Sequence, residues 1–295
     1  MREYQGAVLF VDILGIGSLT TSKVELVDEN DFQSISWSSK LNVSNQTFCA
    51  ALLSTFRRNL KKIHKKGVKI AQLSDCAFLW SKDSDELLEV ARQLFWSNAY
   101  AGVLTRAGMS FGQIVEPQAV ASTIGQFVCG EAVTRAVEIE RNGKGSRIFI
   151  DAFLPGQVLP SFAPSAFTDL VNAADFRRVD EFCWFSLPDA DLNGRKLSNA
   201  QIGKIADLSL TLQYSPMFRW NAASSAGQLQ LAATIERVGM EIIKIVRSRG
   251  ISEPPGAVKA AHIFLASDPA HPGARSKEKL ESFRKMITRW LDQAQ

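Results

Sequence analysis

The chain has 295 residues, 46% of them hydrophobic and 22% charged, with a net charge of +4. That balance supports a packed core and excludes a disordered chain, and no apolar run reaches the roughly 18–20 residues of a membrane span. The weak positive charge suits a polyanionic ligand without requiring nucleic acid.

Residues 6–12 read as a buried strand, and 7–15 run AVLFVDILG, closing on Asp12 and a glycine. GIGSLT (15–20) is small enough to open a helix, and the polar stretch 21–45 reads as an insertion or loop. Apolar spacing predicts a helix over 46–66, with lysines in its last turn and Gly67 as its C-cap. Strands follow at 68–73 and 76–81, joined by a turn at Ser74-Asp75. Asp83 or Ser84 caps a helix running to about residue 99. A strand at 104–115, a helix at 130–142, a strand at 146–151 and an aromatic terminal strand or hairpin at 176–187 complete this part. The order β-α-β-β-α-β predicts an α+β, ferredoxin-like core with helices on one face of an antiparallel sheet. After Pro188 the pattern turns helical, over 198–213, 219–249, 256–267 and 276–293. We therefore expect a core domain over 1–188 and a C-terminal helical region over 189–295. The amphipathic stretch 228–247 reads as core.

Three histidines (His64, His262, His271) without ligand spacing argue against a zinc site or a Ser-His-Asp triad. Four cysteines (Cys49, Cys76, Cys129, Cys183) lack CxxC spacing and read as free thiols in a reducing cytoplasm. The informative residues are Asp12 and Asp75, each at the end of an apolar run. One Asp at a strand end facing another on a neighbouring hairpin builds a two-carboxylate Mg²⁺ site, because Mg²⁺ takes one or two protein carboxylates plus substrate phosphates. Asp12 and Asp75 are expected to bridge two Mg²⁺ or Mn²⁺ ions, with the Ile13 carbonyl as a further ligand. Gly15, Ile16, Gly17 and Ser18 would bring backbone N–H groups to a triphosphate. The plainer alternative is that Asp12 caps the next helix and Asp75 makes a hairpin turn. The cations Lys61, Lys62, Lys65, Lys66 and Lys69 read either as a nucleic-acid contact or, more simply, as a solvated complement to a helix dipole.

FVDILG (10–15), LSDCAFLW (73–80), TRAGMSFGQIV (105–115) and GEAVTRAVEIE (130–140) resemble, in order, the motifs of the class III nucleotidyl cyclases. Those motifs are FxDxxGF, GDxxxA, RxGxxxG and GxxVNxAxRxE, and the resemblance spans roughly residues 6–187. It implies that Asp12 and Asp75 are the metal aspartates and that Arg106, Gly108 and Gly112 form the RxGxxxG strand. It also implies a homodimer with interface active sites. The departures are specific. Ala71 stands where purine cyclases carry a base-reading Lys, and Phe127 where they carry an acidic or polar reader. Thr134 stands for the usual transition-state Asn and Glu138 for the usual Arg. Arg135 and Arg141, three residues either side of Glu138, are candidates for the lost charge, or else ordinary solvated cations. Arg177 and Arg178 hold a position where many cyclases place a triphosphate cation, though a solvated strand edge is the simpler reading. Retained aspartates with purine readers replaced resemble the pyrimidine cyclases of bacterial Pycsar anti-phage defence. That resemblance implies conversion of UTP, favoured slightly over CTP, to a 3′,5′-cyclic nucleotide and pyrophosphate. The product would act on a separate effector, without nucleic acid or membrane span. A purine cyclase with displaced readers and a degenerate nucleotide-binding domain are the alternatives.

Overall fold

The computed structural model describes residues 1–35, 42–119, 126–151, 159, 161–162, 164–172, 175–185, 199–248 and 275–293. The chain forms two compact units: residues 1–13, 53–98 and 104–184, and residues 14–52, 99–103 and 185–295.

The first unit is built on a seven-stranded sheet of order β2-β3-β1-β4-β5-β7-β6. Its strands are β1 (Arg2–Ile13), β2 (Lys69–Leu73), β3 (Cys76–Ser81), β4 (Thr105–Glu116), β5 (Ile148–Asp151), β6 (Phe167–Val171) and β7 (Arg178–Phe182). The sub-order β2-β3-β1-β4, all antiparallel, is the ferredoxin-like arrangement the sequence predicts. β5 then adds parallel to β4, so the sheet is mixed, and the β6–β7 hairpin closes the far edge.

Helix α3 (Asn45–Ile63) stops at Ile63, and Gly67 lies outside the left-handed region, so Gly67 is not its C-cap. Gly67 instead leaves room for the Glu86 carboxylate. Helix α4 (Ser84–Tyr100) starts as expected, with the Asp83 Oδ1 accepting from the Glu86 N–H at 2.9 Å. Helix α5 (Glu131–Glu140) covers the face of Val8, Trp80 and Ile114 through Ala132 and Ala136, while Ala7, Leu9 and Val11 on the opposite face are equally buried. Gly108 lets α5 settle directly onto β4, since a Cβ there would collide with the Ala136 carbonyl and the Glu140 amide. Ser110 Oγ, fully buried, donates to the Ala132 carbonyl at 2.5 Å.

The second unit contains α1 (Ile16–Thr21), α2 (Glu29–Ile35), α6 (Asn199–Tyr214), α7 (Arg219–Ala222), α8 (Ser225–Ser248) and α9 (Lys277–Gln293). Helix α2 falls in the stretch expected to be a loop. Its signal is a reciprocal cap, Asp28 N–H to Asp31 Oδ2 at 3.0 Å and Asp31 N–H to Asp28 Oδ1 at 2.9 Å, with Phe32 and Ile35 buried behind it. The helix expected over 219–249 is two, α7 and α8. Phe32, Phe48 and Trp220 form an aromatic chain with centroids 5.4 and 5.9 Å apart. Tyr214 stacks on Phe283 at 4.6 Å, and Arg284 donates to Asp207, which also accepts from the Tyr100 hydroxyl at 3.0 Å. These contacts join α6 to α9. The expected helix over 256–267, the boundary at Pro188, and His262 and His271 lie outside the described residues. Among the described residues no helix is long and apolar enough to cross a membrane.

Candidate metal centre

Alternation along β1 puts Val8, Phe10 and Asp12 on the face that carries α5. Asp12 stands at the end of that row, in register with Cys76 on β3 and Arg106 on β4. Asp75 occupies the two-residue turn between β2 and β3, after Ser74 at φ 56°. The Ile13 N–H donates to the Asp75 carbonyl at 2.9 Å, which ties the hairpin tip to the end of β1. The structure therefore places Asp12, Ile13 and Asp75 at the same end of the sheet.

A third carboxylate is present that the sequence reading gave no role. Glu140 ends α5 and is buried against Arg106, whose Nε donates to Glu140 Oε1 at 2.5 Å and whose Nη1 donates to the Gly143 carbonyl at 2.7 Å. In sequence it is only the final Glu of GEAVTRAVEIE, and its partner Arg106 is the second residue of TRAGMSFGQIV. Burial, and then the charges of Glu140 and Asp75, push the Asp12 carboxyl up to about 7, while Arg106 and a backbone hydrogen bond from Ile13 oppose the rise. The Cys76 thiol is pushed up by burial and by Asp12 and Asp75, so it stays protonated and unreactive at neutral pH.

This donor set fits a hard divalent cation. The Asp12 carboxylate is disfavoured as an anion, in part by the charge of Asp75, and added positive charge relieves that cost. Among the described residues no group of three or more His, Cys, Asp or Glu side chains forms a ligand cage. Mg²⁺ characteristically completes its shell with water and phosphate oxygens instead.

Gly15 to Ser18 belong to the second unit. Gly15 is left-handed at φ 91°, and a Cβ there would lie 2.9 Å from the Trp220 ring. Its carbonyl already accepts the Ser18 N–H at 3.1 Å, and Ile16 is buried. Ala71 is half-buried on the α5 face of the sheet, packed against the Val8–Trp80 cluster that Phe10, Phe78 and Val128 also join. Phe127 is 47% exposed. On α5, Thr134 is exposed, and Arg135 is committed to Asp151 on β5 and to Glu131. Arg141, the exposed C-cap residue of α5, has no acidic partner among the described residues. Arg177 bonds Glu138 at 3.1 Å and Arg178 bonds Asp169.

No protein-family model matches the chain, and no curated protein matches it. Among solved structures it is similar to the guanylyl cyclase Cya2, at 11% identity over 61% of this chain and 91% of that one, with a TM-score of 0.42. A bacterial light-regulated adenylyl cyclase matches at 15% identity over 62% and 92%, with a TM-score of 0.41. The guanylate cyclase domain of RhGC from Catenaria anguillulae in complex with GTP matches at 14% identity over 62% and 97%, with a TM-score of 0.41. At these identities and scores neither substrate nor activity transfers from those proteins to this chain.

Proposed function

We propose that the chain is a nucleotidyl cyclase that uses Asp12 and Asp75 to hold two divalent cations against a nucleoside triphosphate. The observation that supports this reading is the hydrogen bond from the Ile13 N–H to the Asp75 carbonyl, which ties the hairpin tip to the end of β1 that carries Asp12, with Asp12 pushed up to about 7 by burial, Glu140 and Asp75. Bound Mg²⁺ or Mn²⁺ would lower the pKa of the 3′-hydroxyl and neutralise the leaving phosphates. The 3′-oxygen attacks the α-phosphorus in line and its proton passes to solvent. The bond from the α-phosphorus to the bridging oxygen breaks, and pyrophosphate leaves with the electron pair. Asp12 and Asp75 position the triphosphate, and catalysis is mostly orientation and charge neutralisation. Arg141 is the candidate for the missing cation in this reading, because Arg135 is already paired with two acids.

The substrate in this reading is a pyrimidine triphosphate, UTP before CTP. Its support is the sequence: Ala71 and Phe127 supply no side-chain hydrogen bond with which to select a purine. The chain would then act as a homodimer in bacterial anti-phage defence, its cyclic product signalling to a separate effector. The paired state of Arg135, with Thr134 and Glu138 in place of Asn and Arg, favours a second reading, a nucleotide-binding cyclase homologue without turnover.

Incubation with ATP, GTP, CTP and UTP singly, with Mn²⁺ and mass-spectrometric product analysis, separates these readings. A cyclic pyrimidine monophosphate that disappears in Asp75→Asn is the expected result. A cyclic purine keeps the chemistry and overturns the base assignment. No product with any triphosphate, at a protein concentration where nucleotide binding is measurable, leaves the silent homologue.

A further inference from the structure

The first unit carries a second concavity that neither Asp12 nor Asp75 lines. It is a cleft of about 890 Å³ between the C-terminal half of α3 and the edge strand β2. Arg57, Lys61 and His64 come to it at i, i+4 and i+7, one helical face, and Lys66 and Lys69 join from the loop and the strand. Lys69 is paired with Glu116. Arg57, Lys61 and Lys66 have no acidic partner among the described residues.

Like charges at i, i+4 on one face destabilise a helix. The helix dipole compensates Lys61 in the last turn of α3 but not Arg57, which lies before it. The contrast within the same unit is direct. A cavity of about 800 Å³ beside α5 is lined by Arg135, Arg177 and Arg178, and each of those arginines has an acidic partner. Of these two, the α3–β2 cleft holds three cations, Arg57, Lys61 and Lys66, without an acidic partner among the described residues. Its walls are also two-sided in character. Leu60 and Val68 are buried in its floor, and the side chains of Gln72 and Gln126 add amides. Apolar walls with a few convergent polar groups, in a volume between about 300 and 1,000 Å³, suit a small organic ligand.

We infer that this cleft binds the phosphate monoester of a small molecule, without any divalent cation, at a place separate from the Asp12–Asp75 pair. Arg57, Lys61 and Lys66 take the phosphate, and the Leu60 side of the cleft takes what the phosphate is attached to. Ser74 lines the cleft and directly precedes Asp75, so an occupant touches the turn that carries the second carboxylate. The inference does not rest on the cyclase reading.

The test is titration calorimetry on the full chain in EDTA, with uridine 5′-monophosphate, adenosine 5′-monophosphate and inorganic phosphate as probes. We expect one equivalent of monoester to bind, at least tenfold more weakly in Arg57→Gln/Lys61→Gln and unchanged in Asp75→Asn. Both substituted cations are exposed, and a thermal melt matching wild type establishes that the double variant is folded. Tighter binding of a nucleotide than of phosphate supports the monoester, and equal binding of inorganic phosphate overturns the role given to the Leu60 side and with it the monoester assignment. No binding at millimolar probe overturns the inference. Binding lost in Asp75→Asn rather than in the double variant, or binding only of a single-stranded oligonucleotide, does the same.

Discussion

Replacing Asp12 with asparagine should stabilise the cation-free protein. The folded state holds this carboxyl at about 7, against an ordinary value of 3.8, chiefly through burial and then through Glu140 and Asp75. Below pH 4 the carboxyl is protonated whether the chain is folded or unfolded, and wild type and Asp12→Asn should be equally stable. Between pH 4 and 7 the unfolded chain releases the proton while the folded chain retains it. Stability of the wild type therefore falls with rising pH across that window and levels off above it. A rise of about 3 pKa units corresponds to about 4 kcal/mol at most, at 1.36 kcal/mol per unit. Residual exposure and relaxation of the neighbouring acids reduce this, so a gain of roughly 1–3 kcal/mol for Asp12→Asn is expected at pH 7.5. Urea unfolding in EDTA at pH 4, 5.5 and 7.5 measures it. Adding Mn²⁺ should reverse the order, raising the midpoint of the wild type and leaving that of the variant nearly unmoved. If the variant is less stable than wild type at pH 7.5 in EDTA, or its advantage is the same at all three pH values, the account of a charge-crowded Asp12 is wrong.

Gly108→Ala should cost at least about 3 kcal/mol, because the new Cβ meets backbone on α5 that cannot step aside. Gly112→Ala, where the nearest atom to a new Cβ is 3.6 Å away, should stay within about 1 kcal/mol, and urea midpoints of the two variants check the contrast. Arg106→Ala leaves the Glu140 carboxylate buried without its cation and should lose about 3–5 kcal/mol in the same assay. Under the cyclase reading, Arg141→Ala should lower turnover by about a hundredfold, whereas Arg135→Ala should leave turnover within about tenfold, since its guanidinium is occupied by Asp151 and Glu131. Product formation under saturating triphosphate distinguishes the two.

The β1–β2–β3–β4 core was legible because each strand is an apolar run bounded by a turn residue or a helix cap, and the hairpin turn at Ser74-Asp75 falls where the sequence places it. The β6–β7 hairpin was only half legible, since FTDLV alternates too briefly to stand out from its polar surroundings. Helix α2 was missed because a polar seven-residue segment gives almost no periodic signal, and its Asp28–Asp31 cap is common in loops as well. Of the candidate site, the two aspartates were readable, because each ends an apolar run. Glu140 was not. A glutamate at a helix end is ordinary in sequence, and only the fold shows it buried beside Arg106 and acting on Asp12. Arg135 shows the converse: a cation at a plausible spacing whose neighbour Asp151 comes from a strand that sequence distance hides.

Gly108 connects these observations. A helix normally rides on a sheet at a distance set by side chains on both surfaces, but here the strand contributes none at the crossing point. Helix α5 therefore descends until its own backbone touches β4, with Ala132 and Ala136 as its small contact residues. That descent carries the last residue of the helix, Glu140, to the level of Asp12, because Phe10 pairs with Gly108 and Asp12 with Arg106 two residues along the same strands. Arg106 then compensates Glu140 by direct contact while only partly offsetting its effect on Asp12. The RxGxxxG strand is thus a structural device with an electrostatic result. The glycine sets how close the third carboxylate comes, and the arginine sets how much of its charge Asp12 feels. An alanine at 108 that lifted α5 without unfolding the unit should bring the Asp12 carboxyl back down toward the ordinary range, which a ¹³C-carboxyl NMR titration of Gly108→Ala against wild type would register.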